Sequence, residues 1–183
     1  MFTTKLNLNT LLSKGCRKEK KGVMEIQKSM RKLSTIDPCL FWKLFDAQNE
    51  PILTYAAEVW GLEDVSHIEK VHTFAIKRFL NVPLHSSNKI IYGETDRYRL
   101  FTRTSVNCIQ FWLKLTRLPV RRICRQAYEM FLSQHEAGRQ NRTPSVKNLL
   151  AKNGFGIVWF CQGVGFEARF IAEFKDRLFS YCQ

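Results

Sequence analysis

The stretch PILTYAAEVWG, Pro51 to Gly61, is the longest mostly apolar segment of the chain, and a well-marked helical pattern follows it almost at once. Pro51 has no amide hydrogen and disfavours helical geometry at Glu50, so it breaks or kinks the helix before it. The spacing after it predicts a second helix that carries Ile52, Leu53, Ala56, Val59 and Trp60 toward the core and stops at Gly61. Upstream, Asp37 and Pro38 read as an N-cap and a first helical residue, with Leu40, Phe41, Leu44 and Phe45 forming the apolar stripe. Downstream, Ser66 and Glu69 match a capping box. The helix it opens puts Ile68, Val71, Ala75 and Phe79 on one face, leaves Lys70, Lys77 and Arg78 hydrated, and ends over Asn81 to Pro83.

The pattern continues outward on both sides. Residues 1–34 carry Lys5, Lys14, Arg17, Lys18, Lys20, Lys21, Lys28, Arg31 and Lys32 against only Glu19 and Glu25. Val23, Ile26, Met30 and Leu33 recur at helical spacing and predict a helix over 22–33 with one packed and one wet, basic face. Before it, FTTKLNLN alternates as a short strand or an extended arm would. Residues 84–100 read as a connector, whose Tyr92, Arg97, Tyr98 and Arg99 could lie against a nucleic-acid backbone or pin the loop to its own domain. From Thr102 to Leu118 a helix sets Val106, Ile109 and Leu113 opposite Arg103, Asn107, Gln110, Lys114 and Arg117. Pro119 starts the next, with Val120, Ile123, Ala127 and Met130 facing one way and Arg121, Arg122 and Arg125 clustered on another side. Residues 134–143 are polar and aperiodic, a linker. A short helix from Thr143 to Lys152 is stopped by Asn153 and Gly154. GFGIVWFCQGVG reads as turn-rich and strand-containing, and Phe166, Phe170, Phe174 and Leu178 define a last amphipathic helix. The fold class is mainly α, an irregular helical bundle with a short N-terminal strand, read as a fragment of a larger polyprotein.

Composition narrows the function. Of 183 residues, 45% are hydrophobic, enough to build a core, and 29 Lys and Arg against 16 Asp and Glu give a net charge of +13. That balance favours polyanions and salt-sensitive binding. No run reaches the roughly 20 apolar residues a membrane helix needs, and the start lacks a secretory signal, so an intracellular protein without a membrane partner is expected. Six cysteines are scattered without a CxxC pair, which predicts free thiols serving mostly as apolar fillers and no zinc site. His67 and His72 read as surface histidines.

No catalytic constellation and no cofactor motif stands out. Asp37, Asp46, Asp64, Asp96 and Asp176 are far apart, whereas phosphoryl chemistry needs acids converging on metal ions. Cys124 lies beside arginines that would favour its thiolate, yet no base accompanies it, and a buried filler is the favoured reading. Phosphate contacts need only exposed cations. One candidate patch is Lys14, Arg17, Lys18, Lys20 and Lys21; a second is Arg97, Arg99, Arg103, Lys114, Arg117, Arg121, Arg122 and Arg125. Such patches position a backbone rather than read bases. Trp60 and Trp112 are expected in the core, with stacking on bases the alternative.

PILTYAAEVWG, then IEKVHTFAIKRFLNVP at Ile68 to Pro83, YGETDRYRL at Tyr92 to Leu100 and WLKLTRLP at Trp112 to Pro119 form an ordered series. It resembles the region downstream of the catalytic core in reverse transcriptase polyproteins of non-LTR (LINE-like) retrotransposons. FTTKLN is similar to the tail of the polymerase domain, and NGFGIVWFCQGVG with FIAEFKDRL to the ends of such polyproteins. Asp96 and Arg99 depart from it, standing where these elements commonly have a glycine and a proline. The resemblance implies that 1–80 supplies thumb-like helices after a reverse transcriptase core, 81–133 a basic helical connector, 134–143 a linker and 144–183 a helical tail. It further implies a noncatalytic, nucleic-acid-binding fragment that grips template RNA or an RNA/DNA duplex during target-primed reverse transcription, in the nucleus. Its partners would be RNA, DNA or the hybrid, and the upstream polymerase domain. The alternative is a degenerate structural remnant or protein-interaction domain that packs on a polymerase core.

Overall fold

Asp37 accepts the amide of Cys39 at 2.9 Å with Pro38 at the first helical position, and that cap fixes the start of the helix Pro38–Gln48 as its residue types predict. The computed structural model describes residues 8–32, 37–62, 65–138 and 143–182, with the side chains of 8–17 and of 181–182 outside the description. Its helices are α1 (Leu8–Lys32), α2 (Pro38–Gln48), α3 (Glu50–Leu53), α4 (Ala57–Trp60), α5 (Ser66–Phe79) and α6 (Asn88–Thr95). There follow α7 (Leu100–Arg117), α8 (Ile123–Glu136), α9 (Thr143–Lys152), α10 (Gly156–Phe160) and α11 (Glu167–Cys182). The architecture is mainly α, and no strand occurs among the described residues. The strand expected in FTTKLNLN lies, over residues 2–7, outside the described residues; Leu8 and Asn9 already belong to α1. GFGIVWFCQGVG forms α10 and a run of turns rather than a strand. No helix among the described residues is long and apolar enough to cross a membrane.

The chain divides into two units, and the division falls inside the stretch around Pro51. Unit 1 comprises Met1–Tyr55 and Asp64–Leu100; unit 2 comprises Ala56–Glu63 and Phe101–Gln183. The single helix expected after Pro51 is therefore two separate turns, α3 and α4, interrupted at Ala56, whose φ of 54° is left-handed. Leu53, Ala57 and Trp60 are buried, but Ile52, Ala56 and Val59 are exposed, so the uninterrupted core-facing stripe is not formed.

In unit 1, α1 packs on α5, α2 and α3, and α6 packs on α5. Val23, Ile26 and Met30 meet a core that includes Phe41, Phe45, Ile68, Val71 and Ile76. Val65 rather than Ser66 holds the N-cap position of α5, and Glu69 turns to other partners, which displaces the expected capping box. Lys77, expected in water, is buried, and its ammonium donates to the Leu84 carbonyl at 2.8 Å. The segment read as a connector holds α6.

Unit 2 is built around Ile109, Trp112 and Leu113 of α7 and Phe170, Phe174 and Leu178 of α11, with Leu149, Leu150 and Trp159 between them in sequence. Trp112 stacks on Trp159 with ring centres 5.7 Å apart. Phe166, expected on the buried face of the last helix, precedes α11 and is 83% exposed. The stripe Val120, Ile123 and Met130 is exposed as well, because α8 buries Tyr128 instead. Gln134 to Glu136, placed in the linker by their polarity, continue α8, and Thr143 is buried at the start of α9.

Candidate nucleic-acid interface

Along α1 the buried positions Glu19, Val23, Ile26 and Met30 define one face. Lys18, Lys21, Lys28, Arg31 and Lys32 all lie exposed on the other. At 3.6 residues per turn these five fall within an arc of roughly 140° and span about 21 Å of helix. None forms an ion pair among the described residues, and Glu25 is the one acid within the arc. Lys20 is half-buried, its ammonium 5.6 Å from the Phe74 ring centre, which Arg78 also approaches at 5.6 Å. Burial pushes the Glu19 carboxyl above its ordinary value, against the opposing charge of Lys18. The side chains of Lys14 and Arg17 lie outside the described residues. Lys28, Arg31 and Lys32 were legible as cations at three- and four-residue spacing, but only the long extent of α1 joins them to the first patch.

The second patch splits. In unit 1, Arg97 holds both carboxylate oxygens of Asp46, one of the bonds being 3.0 Å, and its guanidinium lies 4.4 Å from the Trp42 ring centre. Those contacts occupy it as an internal clamp. Tyr92 donates to Glu69 Oε1, and Glu69 Oε2 accepts the Leu100 amide at 3.1 Å. His72 Nδ1 lies 3.5 Å from the Tyr92 hydroxyl and 3.8 Å from Glu69. Of the two roles open to this segment, Tyr92 and Arg97 therefore take the pinning one, while Tyr98 and Arg99 are exposed. His72 is 1% exposed, not a surface histidine; burial lowers its pKa, with Glu69 opposing, and burial raises that of Tyr92.

In unit 2, Arg103, Gln110, Lys114 and Arg117 are exposed along α7 with Asn107 half-buried between them, as the helical period predicts. Arg117 is paired with Glu167. Arg121 and Arg122 are exposed just before α8, but Arg125 turns inward. It donates to Glu129 at 2.8 Å and to the Thr116 carbonyl at 2.8 Å, with its guanidinium 5.6 Å from the Tyr128 ring centre. The three-arginine cluster is thus two exposed arginines and one structural one. Cys124 is exposed rather than a buried filler, as are Cys39 and Cys161; of the described cysteine side chains only Cys108 is buried. Among the described residues no group of three or more His, Cys, Asp or Glu side chains gathers to hold a metal ion.

No family model matches the chain, and neither does any curated protein or solved structure.

Proposed function

We propose that the chain is a noncatalytic, nucleic-acid-binding piece of a LINE-like reverse transcriptase polyprotein. It grips template RNA or the RNA/DNA duplex through basic helices, while the chemistry resides in a polymerase domain upstream. The observation that carries the reading is the stripe of five exposed cations on α1, none of them paired among the described residues. Exposed cations on one helix face, with no acidic partner among the described residues, can neutralise phosphates and release counterions. Lys114, Arg121 and Arg122 of unit 2 add to the same potential. A nuclear site of action belongs to this reading.

Five phosphate contacts give a slope of log affinity against log salt of about −4.5 on duplex and about −3.5 on single strands. A titration of the folded chain against single-stranded RNA, duplex DNA and an RNA/DNA hybrid at several salt concentrations measures it. Lys21→Gln with Lys28→Gln should flatten the duplex slope by about 2. Absence of binding at low salt, or a slope unmoved by the paired change, refutes the assignment to α1.

The second reading, a remnant or interaction domain that packs on a polymerase core, is supported by the apolar side chains unit 2 leaves exposed. Ile157, Phe160 and Phe166 are each more than three-quarters exposed. Complementation by an upstream polymerase fragment without any nucleic-acid affinity of the chain itself would favour it.

A further inference from the structure

Unit 2 contains a half-open cavity of about 330 Å³ between α7 and α8, closed at its ends by α4 and the start of α9. One wall is Phe111, Trp112 and Leu115 of α7; the other is Ala127, Tyr128 and Phe131 of α8. Both sets follow helical spacing, so each helix turns a continuous apolar stripe to the space. The polar atoms of the walls are already used within the protein. Trp112 Nε1 donates to the Tyr128 hydroxyl at 2.9 Å, and that hydroxyl donates to Gln162 Oε1 at 2.6 Å. Between these two walls an occupant therefore meets ring faces and methyl groups, the polar lining residues Glu58, Thr143 and Ser145 belonging to α4 and α9.

Size and charge decide what fits. The lining runs over residues 108–115 of α7 and 124–131 of α8, about 10 Å of each helix, so the cavity is a compact space and not a long groove. Its volume sits at the lower end of the roughly 300–1,000 Å³ of small-molecule sites. Glu58 is the only acid among the lining residues, is exposed, and has no ion-pair partner among the described residues. The chain's net charge of +13 favours anions overall, but Glu58 is the one formally charged residue of the lining, so at this apolar, aromatic-walled opening the local preference is for an ammonium group over an anion. Ring faces add to that preference through their quadrupoles. We infer that this cavity is a binding site for a small cationic amphiphile, its apolar body between α7 and α8 and its ammonium head at Glu58. The site does not depend on the nucleic-acid reading and uses none of the cations of that interface.

Cys124 lines the cavity and is exposed, so its thiol reports occupancy, while exposed Cys39 and Cys161 lie outside the lining and serve as internal references. The experiment follows alkylation of each cysteine of the intact chain by peptide-resolved mass spectrometry. The probes are decyltrimethylammonium, decanol and decyl sulfate, each below its aggregation concentration. The ammonium should slow alkylation at Cys124 and leave Cys39 and Cys161 unchanged, decanol should act more weakly, and decyl sulfate should give no selective protection. Glu58→Gln, a surface change that leaves the walls intact, should weaken the ammonium probe about threefold and leave decanol unchanged. Ala127→Trp, which fills the space, should abolish protection by both. The inference is overturned if Cys124 is slowed no more than Cys161, if decyl sulfate protects as well as the ammonium, or if Glu58→Gln leaves the ammonium's affinity unaltered.

Discussion

Gly61→Ala tests the packing of the segment that links the sequence pattern to unit 2. Gly61 has φ −67°, so its backbone suits any residue; what excludes a side chain is space. A Cβ there would sit 2.5 Å from the Ala57 carbonyl oxygen, 2.8 Å from Thr104 Cβ and 3.3 Å from Cys108 Sγ. The contacts are tight because α4 is clasped to α7. Thr104 donates to the Gly61 carbonyl at 3.2 Å, and Cys108 donates to the Ala57 carbonyl at 3.1 Å. Neither a backbone oxygen nor a Cβ is the loose end of a flexible side chain, so α4 must shift and strain both bonds. Overpacking of this kind costs about 1–3 kcal/mol. Removing glycine's freedom in the unfolded chain returns about 0.4–1 kcal/mol. The expected net loss is about 1–2 kcal/mol, or a fall in Tm of roughly 5–15 °C for a unit of this size class. Gly163→Ala supplies the comparison within unit 2, because a Cβ there meets nothing within 4 Å. Urea and thermal unfolding of both variants beside the parent decide the matter. Equal stability of Gly61→Ala and Gly163→Ala would refute the clasp between α4 and α7.

Two further predictions concern unit 1. His72 has a folded-state pKa depressed by burial below its ordinary 6.5, so as pH falls through 6.5 the unfolded chain takes up a proton that the folded chain refuses. Stability should therefore decline from pH 6.5 downward until the folded pKa is reached, and His72→Phe should lessen that decline; urea midpoints at about pH 7.5 and about pH 5.5 measure it, and an unchanged difference between the two proteins at both would refute it. Arg97→Ala, which removes the Asp46 bond and the Trp42 stack, should cost roughly 1–3 kcal/mol of stability and leave nucleic-acid affinity at fixed salt unchanged. The paired Lys21 and Lys28 substitutions should do the reverse, and a drop in affinity for Arg97→Ala while it remains folded would return that residue to the interface.

Side-chain types and their spacing determined, by themselves, that the chain is helical and where most of its helices run. The cap at Asp37, the stop at Asn81 with φ 53°, and the stop at Gly154 with φ +81° are local events, set by one residue's own hydrogen bond or backbone freedom. The buried faces of α5, α7 and α11 were legible for the same reason, since a 3.6-residue period fixes which side chains share a face. The total positive charge was legible too, and with it the class of partner proposed.

Tertiary structure alone decided which of those charges remain free and which apolar residues are covered. Arg97 and Arg125 look in sequence like their neighbours Arg99 and Arg122. Only the fold brings Asp46 to the first and the carbonyls of Leu115 and Thr116 to the second. The opening segment that promised one buried helix is split at the left-handed Ala56, and its two halves enter different units, so Ile52 and Val59 no longer share a helical face and both are exposed. Spacing specifies a face, but whether that face meets protein, solvent or a ligand depends on elements distant in the chain. The cavity around Trp112 and Tyr128 follows from the same distinction. Its walls are two ordinary amphipathic helices, and the space between them exists only because α7 and α8 are held with their apolar stripes toward one another and not in full contact.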